Sequence, residues 1–446
     1  MRDLLTAQEL LSPDVFAQLG LARFLQDPEL FLEHNNYEPI DLPNSIGRDR
    51  LLVTRLVARE LSQMQNFEVI IVGAGPSGCA TALELIKLDR DLANRILLLD
   101  KAIFPRAKLC AGGVIKNADA ILAHLGVQVD LPSSPVHVSK FVLPTGSLTF
   151  NQSDHFRVVS RKQFDNLLFE TARSRGVITR DGEELKVITR TPRELIVNTS
   201  KHEYRTKIVI GADGSNSTVR RLVNLGRIAR LMIAMEIFAP LSETDISNFS
   251  NNIAIFDLSV TSRGVPGYCW VFPTVPEGPP AVSLGIMAAP LCKDETFQLK
   301  TSFEDWLKRQ GVNAHRFEQK SHPILRYEPR APVSQERVLL TGDAAGVDPL
   351  FGEGICSALA LGIIAAESAV AAIKTNDFSF SNYEMRIRSS SIGKTMRRRR
   401  FLARRLYTHP KLGSRYLKYG WLLRWVTLLH PAGSTANLTW QPLNDI

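Results

Sequence analysis

The sequence is poor in cysteine, and its cysteines show no spacing that would crosslink a fold or hold zinc. The 446 residues include five cysteines, at scattered positions and without a Cys-x-x-Cys pair: Cys79, Cys110, Cys269, Cys292 and Cys356. This odd, dispersed set argues against a disulfide framework and fits a reducing compartment. The nine histidines show no His-Glu-x-x-His or similar ligand spacing, so the sequence predicts no metal site.

The sequence also lacks the features of a secretion signal. The first residues, MRDLLTAQELLS, are charged and contain no apolar signal-peptide core, so we expect a cytoplasmic location. The longest apolar run is Ile355–Ile373, interrupted by Glu367, and its length alone would suffice for a membrane span. Because the run is rich in alanine and glycine and follows a glycine-rich turn, we predict a buried helix that packs on a sheet.

Charge of one sign is in excess only locally. The net charge is +9, and arginine and lysine crowd into residues 386–424, which indicates a basic patch rather than a uniformly cationic protein. No nucleic-acid-binding fold accompanies these arginines, so we predict no nucleic-acid partner. Hydrophobic residues make up 44% of the chain, enough for a globular protein of two or three domains.

One glycine-rich stretch has the sequence context of a dinucleotide-binding turn. Phe67–Val72 reads as a buried strand, and Gly73, Gly75 and Gly78 follow it in G-x-G-x-x-G spacing before a predicted helix, Cys79–Leu88. The glycines permit a tight turn, the approach of a pyrophosphate and close packing of helix and strand. The next predicted strand, Arg95–Leu99, ends in Asp100, whose carboxylate is placed to accept hydrogen bonds from an adenosine ribose.

Two further glycine-acid motifs follow predicted strands. The second motif comprises Gly211, Asp213 and Gly214, and the third begins with Gly342 and Asp343. The third motif continues through Pro349, Gly352 and Gly354 to the predicted helix that begins at Ile355. Glycines let the backbone approach a large planar cofactor, and helix N-termini offer amides to anionic groups.

The three motifs in this order resemble the flavoprotein hydroxylase superfamily that includes para-hydroxybenzoate hydroxylase. The resemblance covers roughly residues 67–375 and implies FAD, held by a Rossmann-like α/β domain that is built from discontinuous segments. It also implies an inserted, mostly antiparallel β-sheet domain for the substrate. Arg161, in the pattern Arg-x-x-Phe-Asp, approaches the flavin in that family; the alternative is a solvated arginine at a helix start.

Two stretches resemble the geranylgeranyl reductases in particular. Residues 268–273 read YCWVFP, which matches a Y-x-W-x-F-P form, and residues 108–113 read KLCAGG, which is similar to a cysteine-glycine loop beside the flavin. The resemblance implies that Tyr268, Trp270 and Phe272 line an apolar tunnel for a prenyl substrate. Two departures are Ala111, where the family usually has glycine, and the stretch after Pro273.

The resemblance also implies a set of cofactor contacts. Besides the glycines and acids already named, the implied contacts are Ala74, Pro76, Ser77, Lys101, Lys108, Cys110, Ala111, Gly112 and Gly113. Cys110 could be a catalytic thiol near the flavin or a small buried residue. The aromatic strand could equally be one face of a packed core, since any half-buried strand alternates in this way.

We predict four regions from these patterns. Residues 1–66 form a helical extension, and residues 376–446 form a basic helical C-terminal region. The FAD-binding domain comprises 67–135, 155–225 and 330–375, and the substrate domain comprises 136–154 and 226–329. The tail segments 396–407 and 417–429 resemble interfacial helices that would dock on a membrane surface; the alternative is a solvated basic helix and a domain cap.

The implied activity is reduction of C=C bonds in an isoprenoid lipid or pigment. No second nucleotide fingerprint is present, so NADPH or reduced ferredoxin would deliver electrons transiently to the flavin. The alternatives are an FAD-dependent monooxygenase, a halogenase, or a flavin-binding membrane-surface protein without catalytic activity. Halogenases of this fold carry W-x-W-x-I-P, which Tyr268 and Phe272 do not match. The oligomeric state stays open.

Overall fold

A computed structural model describes residues 64–226, 231–240, 252–275, 281–290 and 298–409, together with a strand at 437–442. Side chains are described for these residues except 152–155 and 437–442. The predicted helical extension, apart from its last three residues, and the tail segment 417–429 lie outside the described residues.

The described strands, in chain order, are β1 (Gln65–Val72), β2 (Ile96–Asp100), β3 (Gly113–Ile115), β4 (Ser133–Leu143), β5 (Gly146–Val159), β6 (Ile178–Asp181), β7 (Leu185–Arg190), β8 (Leu195–Thr199), β9 (Glu203–Gly211), β10 (Leu231–Pro240), β11 (Ile253–Asp257), β12 (Gly267–Pro273), β13 (Ala281–Ala288), β14 (Lys320–Leu325), β15 (Ser334–Gln335), β16 (Val338–Leu340) and β17 (Asn437–Pro442). The described α-helices are α1 (Pro76–Leu88), α2 (Lys116–His124), α3 (Arg161–Ser174), α4 (Thr218–Leu222), α5 (Leu299–Arg309), α6 (Ile355–Thr375), α7 (Tyr383–Ser389) and α8 (Ser391–Thr408).

The first sheet has a parallel centre and brings the three motifs to one edge. Its strand order is β15-β16-β9-β1-β2-β6, and β7 and β8 extend it from β9. Strands β16, β9, β1, β2 and β6 are mutually parallel. The three motifs follow β1, β9 and β16, so the carboxyl ends of these strands place them side by side.

The second sheet is mostly antiparallel and supplies the wall opposite those motifs. Its order is β14-β10-β13-β12-β11-β4-β5-β17, with β3 paired to β5, and only β4 and β11 run parallel. The mixed fold expected from the sequence, a Rossmann-like part with a second antiparallel sheet and a helical C-terminal region, is confirmed. The exact division into domains stays a prediction.

The long apolar run is a core helix, as expected. Helix α6 is long and apolar enough to cross a membrane by composition, but it is mostly buried in the protein. Its Gly362 lies against the first turn of α1, where a Cβ atom would stand 2.6 Å from the carbonyl oxygen of Ser77. The absence of a side chain therefore lets the two helices pack closely on the first sheet.

One expectation about local structure differs from the structure. The predicted helical C-terminal region contains β17, which pairs antiparallel with β5. Strand β5 runs for 14 residues along β4 and leaves a long outer edge. Unpaired backbone groups on such an edge accept a further strand.

Candidate active site

The nucleotide turn contains glycines of two kinds. Gly73 has φ +104°, and a Cβ there would stand 2.3 Å from the carbonyl oxygen of Ala212. A Cβ at Gly78 would stand 1.8 Å from the carbonyl oxygen of Gly73. At Gly75 the nearest atom to a Cβ is Nη2 of Arg106 at 3.5 Å, which is ordinary contact. The protein's own packing requires the first and third glycines, whereas Gly75 leaves room for a ligand.

Helix α1 starts in this turn without a capping side chain. Its N-cap is Gly75, which has no side chain, and Pro76 occupies the first position. Amides of the first turn therefore face the cavity with their positive dipole end. Such a helix start is a ready site for phosphate oxygens.

Asp100 is held at the end of β2 by two backbone amides. Oδ2 accepts a hydrogen bond from the Ala74 amide at 2.8 Å, and Oδ1 accepts one from the Ala102 amide at 2.9 Å. Asp100 also lines the cavity beside the turn. Its remaining lone pairs can accept hydrogen bonds from ligand hydroxyl groups.

The second and third motifs adjoin the first, as the strand order requires. Oγ of Ser77 lies 2.9 Å from Oγ1 of Thr341, directly before the third motif. In the second motif, Oδ2 of Asp213 accepts from the Val219 amide at 2.9 Å, and its Oδ1 is buried without a partner among the described residues. Burial raises the pKa of Asp213 and that of Asp343. Both carboxyl groups line the same cavity.

Arg161 is a buried ion-pair member and not a solvated arginine. Its Nε and Nη2 donate to the two carboxylate oxygens of Asp165, each at 2.9 Å, and Arg106 approaches the same carboxylate at 3.1 Å. Burial opposes the charge of Arg161, but Asp165 outweighs it and raises the arginine pKa. The solvated alternative is therefore wrong, and the pair presents fixed positive charge at the cavity.

The cysteine-glycine loop lies at the centre of the cavity. Cys110 is a free, half-buried thiol, and its Sγ accepts from the Gly112 amide at 3.4 Å. Nζ of Lys108 lies 2.7 Å from Nε2 of His322. Burial lowers the pKa of both, that of His322 to about 4, where Lys108 and Arg161 add to the effect. The histidine is therefore neutral near neutral pH.

The aromatic strand forms the apolar end of the same cavity, whose volume is about 610 Å³. Tyr268, Trp270 and Phe272 are 6%, 6% and 8% exposed. The rings of Tyr268 and Phe272 pack with Phe256, and the ring of Trp270 packs with those of Tyr268 and Phe272. The Tyr268 hydroxyl donates to the carbonyl oxygen of Phe351 at 2.7 Å. The three side chains are thus both buried and cavity-lining, and their role as a substrate tunnel stays a prediction.

Most of the predicted contacts line this one cavity, and a few support it from behind. The predicted residues outside its lining are Ala74, Gly78, Gly211, Gly342 and Pro349. Sequence reasoning missed Glu236 and His322, which line it from β10 and β14. Both are polar residues on strands of the second sheet, and only the packing of that sheet shows that they face inward.

The tail helix α8 contributes one buried arginine to the wall of the cavity. Arg399 is 4% exposed, and its Nη1 donates to Oδ2 of Asp348 at 2.8 Å. Arg400 donates to Oε2 of Glu328 at 2.7 Å. The predicted interfacial segment 396–407 therefore does not turn all its arginines outward, because Arg399 pairs with a buried carboxylate 51 residues earlier in the chain.

Comparison with known proteins agrees with this geometry. The FAD binding domain family matches residues 66–360. Digeranylgeranylglycerophospholipid reductase 2 of Methanosphaera stadtmanae is 28% identical over 341 residues, which cover 72% of this chain and 81% of the relative. A 1H-pyrrole-2-carbonyl peptidyl-carrier-protein brominase of Pseudoalteromonas luteoviolacea is 26% identical over 352 residues, which cover 73% and 82%.

Among solved structures, a geranylgeranyl bacteriochlorophyll reductase-like protein of Thermoplasma acidophilum matches with a TM-score of 0.65. The match covers 82% of this chain and 92% of that one at 20% identity, so it supports the fold alone. The family match covers well over half of the chain. The chain therefore belongs to the FAD binding domain family and is an FAD-dependent oxidoreductase, similar in sequence and fold to geranylgeranyl reductases.

Proposed function

We propose that this oxidoreductase reduces C=C bonds of a prenyl chain. The observation that carries the proposal is the continuity of one cavity, with a glycine turn and fixed charges at one end and an aromatic wall at the other. The end with the glycine turn and fixed charges has the features that a dinucleotide site requires. The aromatic end suits a long apolar chain with little hydrogen-bonding capacity.

The residues at the polar end fit FAD. Gly75 leaves space at an uncapped helix start, which suits a pyrophosphate, and Asp100 can accept hydrogen bonds from the ribose. The charge of Arg161 and the loop at Lys108 and Cys110 would border the flavin ring. When bound and reduced, FAD supplies a hydride; the protein binds, orients and keeps water out.

The apolar end would hold the substrate. Tyr268, Trp270 and Phe272 present ring surface to the cavity, and Phe141 and Phe156 continue it. Burying a prenyl chain against these rings contributes about 25 cal/mol per Å² of apolar surface. The related reductase of Methanosphaera stadtmanae bears the name of a substrate with such chains, which supports the assignment.

Electrons would come from NADPH or reduced ferredoxin. The sequence contains one dinucleotide fingerprint, Gly73–Gly78, and we assign it to FAD. A nicotinamide donor would therefore meet the flavin transiently through the cavity mouth, and an iron-sulfur donor would dock outside. We place the enzyme in the cytoplasm, at the surface of the membrane that holds its substrate.

Halogenation or another oxygen-dependent reaction is the second candidate, because one relative is a brominase. Anaerobic reoxidation separates the two. We expect the reduced protein to be reoxidised by geranylgeranyl diphosphate without oxygen, with a product that carries fewer double bonds by mass spectrometry. Reoxidation only by oxygen, with bromination or hydroxylation of an acceptor, would overturn the reductase assignment.

Trp270→Ala tests the tunnel within the same assay. We expect normal flavin content and an altered preference among prenyl chain lengths, because the ring bounds the apolar end. A loss of about 3–5 kcal/mol in unfolding free energy together with lost flavin and unchanged preference would show that the ring serves packing alone.

A further inference from the structure

One buried carboxyl group faces the apolar end of the cavity. Glu236 lies on β10, is 2% exposed and lines the cavity beside the aromatic wall. Its Oε1 accepts a hydrogen bond from Oγ of Ser283 at 2.5 Å. The Ser283 Oγ in turn accepts a hydrogen bond from Nε1 of Trp270 at 2.9 Å. Within the described residues, Glu236 has no further hydrogen-bond partner.

The sheet register fixes this carboxyl group next to Trp270. Glu236 is directly opposite Gly285 of β13, and Gly285 is directly opposite Trp270 of β12. All three residues therefore share the cavity face. Because Gly285 has no side chain, the indole ring occupies the space between the strands and reaches toward the glutamate.

No cation neutralises Glu236 within the described structure. Lys320, opposite it on β14, pairs with Glu318 at 2.9 Å, and Lys108 lies beside His322. Burial raises the pKa of Glu236 to about 7, and the hydrogen bond from Ser283 opposes that effect. In a large fraction of the protein molecules, Glu236 is therefore a neutral carboxylic acid at neutral pH and can donate a proton.

The other titratable groups of the cavity are less suited to donate. His322 is neutral, because its pKa is lowered to about 4. Burial also raises the pKa of Glu353 to about 7, but its Oε1 accepts from the Cys356 amide at 2.7 Å and its Oε2 from Ser357 at 3.4 Å. Glu353 thereby stabilises the start of α6, and each of its carboxyl oxygens already faces a donor of that helix.

We propose that Glu236 is the acid that protonates the second carbon of the reduced double bond. This inference rests on the proposed function. With a hydride supplied by reduced FAD to one alkene carbon, the π bond would break, the O–H bond of Glu236 would break, and its proton would form the second C–H bond. The carboxylate is then reprotonated by water, so one hydride and one proton saturate one double bond.

The test compares Glu236→Gln with wild type under anaerobic conditions, with geranylgeranyl diphosphate as the oxidant of the reduced flavin. We expect reoxidation to slow by about 100-fold or more, as for loss of a general acid, while flavin content and prenyl diphosphate binding stay unchanged. The wild-type rate should fall as pH rises through about 7, and this dependence should disappear in the variant. Glu318→Gln, an exposed glutamate of the same region, should behave as wild type.

Infrared titration of the protein gives a second readout that does not need turnover. Wild type should show protonated carboxylic acid absorption that disappears near pH 7. Glu236→Gln should lose the part that belongs to Glu236, while the part from Glu353, whose pKa burial also raises to about 7, remains. Ser283→Ala removes the hydrogen bond that lowers the pKa of Glu236, so the infrared midpoint of the Glu236 part and the falling limb of the rate profile should both move to higher pH. This pair of shifts keeps the test decisive if Glu236→Gln does not fold.

The outcomes separate the two proposals. If wild type is reoxidised by the prenyl substrate and Glu236→Gln keeps its rate and pH profile, the proton-donor role alone is overturned. The proton-donor role is also overturned if Ser283→Ala shifts neither the infrared midpoint nor the falling limb of the rate profile. If wild type reduces no prenyl substrate, the proposed function fails and the role of Glu236 fails with it.

Discussion

The indole ring of Trp270 lies directly over Gly285 of the neighbouring strand. A Cβ atom at position 285 would stand 2.0 Å from Cζ2 of the ring. The ring stays in place through its N–H, which donates to Oγ of Ser283 at 2.9 Å. The glycine is therefore needed for the shape of the apolar wall and not for a turn.

Gly285→Ala should displace the indole ring and break its hydrogen bond. We expect a loss of about 1–3 kcal/mol in unfolding free energy, the usual cost of overpacking, measured by urea unfolding. The control is the same change in a Trp270→Leu background, where the added methyl group should cost much less. Equal costs in the two backgrounds would contradict this account of the contact.

Gly75→Val should abolish FAD retention while leaving the unliganded fold almost unchanged. The protein leaves ordinary contact distance around a Cβ at this site, so only the approach of the pyrophosphate is blocked. Flavin absorbance after gel filtration and the melting temperature of the unliganded protein measure the two effects. We expect a change in stability of the unliganded protein within about 0.5 kcal/mol.

Gly78→Ala is the matched control for that change. A Cβ there would stand 1.8 Å from the carbonyl oxygen of Gly73, so this variant should lose stability with or without flavin. Full FAD occupancy in Gly75→Val would refute the assignment of this turn to the pyrophosphate.

Glu236→Gln should change how stability depends on pH. Because burial raises the pKa of Glu236 from 4.5 to about 7, its contribution is fully present below pH 4.5 and is lost as pH rises through about 7. The neutral glutamine carries no such penalty. The free energy of unfolding of the variant, relative to that of wild type, should therefore rise by up to about 3 kcal/mol between acidic and alkaline pH.

Urea unfolding across that pH range measures the difference. Glu318→Gln should run parallel to wild type, because that carboxylate is exposed. If the free energy of unfolding of Glu236→Gln depends on pH in the same way as that of wild type, the fold does not hold the Glu236 carboxyl group neutral.

The exposed face of α8 should bind anionic membranes. Lys394, Arg397, Arg398 and Phe401 line one shallow hollow, and Phe401 is 57% exposed. Each cation near an anionic surface is worth about 1 kcal/mol, so wild type should float with anionic liposomes at low salt. Replacing Lys394, Arg397 and Arg398 by serine should reduce the floated fraction.

The matched control replaces three exposed lysines elsewhere, Lys300, Lys308 and Lys320, by serine and should float as wild type does. Neutral liposomes report the part of binding that does not depend on charge. Failure of wild type to float with anionic liposomes at low salt would show that α8 serves only as a cap on the cavity.

The nucleotide end of the cavity could be predicted because its requirements are local. Gly73 and Gly78 are dictated by backbone contacts within a short strand-turn-helix unit, and the run of apolar residues before them predicts β1. Parallel strands put their carboxyl ends at one edge of a sheet, but that Asp100 and Asp343 line the same cavity depends on the strand order, which the tertiary structure decides.

The sequence by itself therefore determined the Rossmann-like part, its dinucleotide-binding turn and the character of α6, since these depend on spacing along the chain, while FAD in particular followed from the resemblance to a flavoprotein family. Only the tertiary structure decided that Glu236 faces a cavity and that Arg399 is buried against Asp348. A strand glutamate and an arginine in a basic run are usually solvated. Their burial here comes from neighbours distant in sequence, Ser283 and Asp348, whose position depends on how the second sheet and α8 pack.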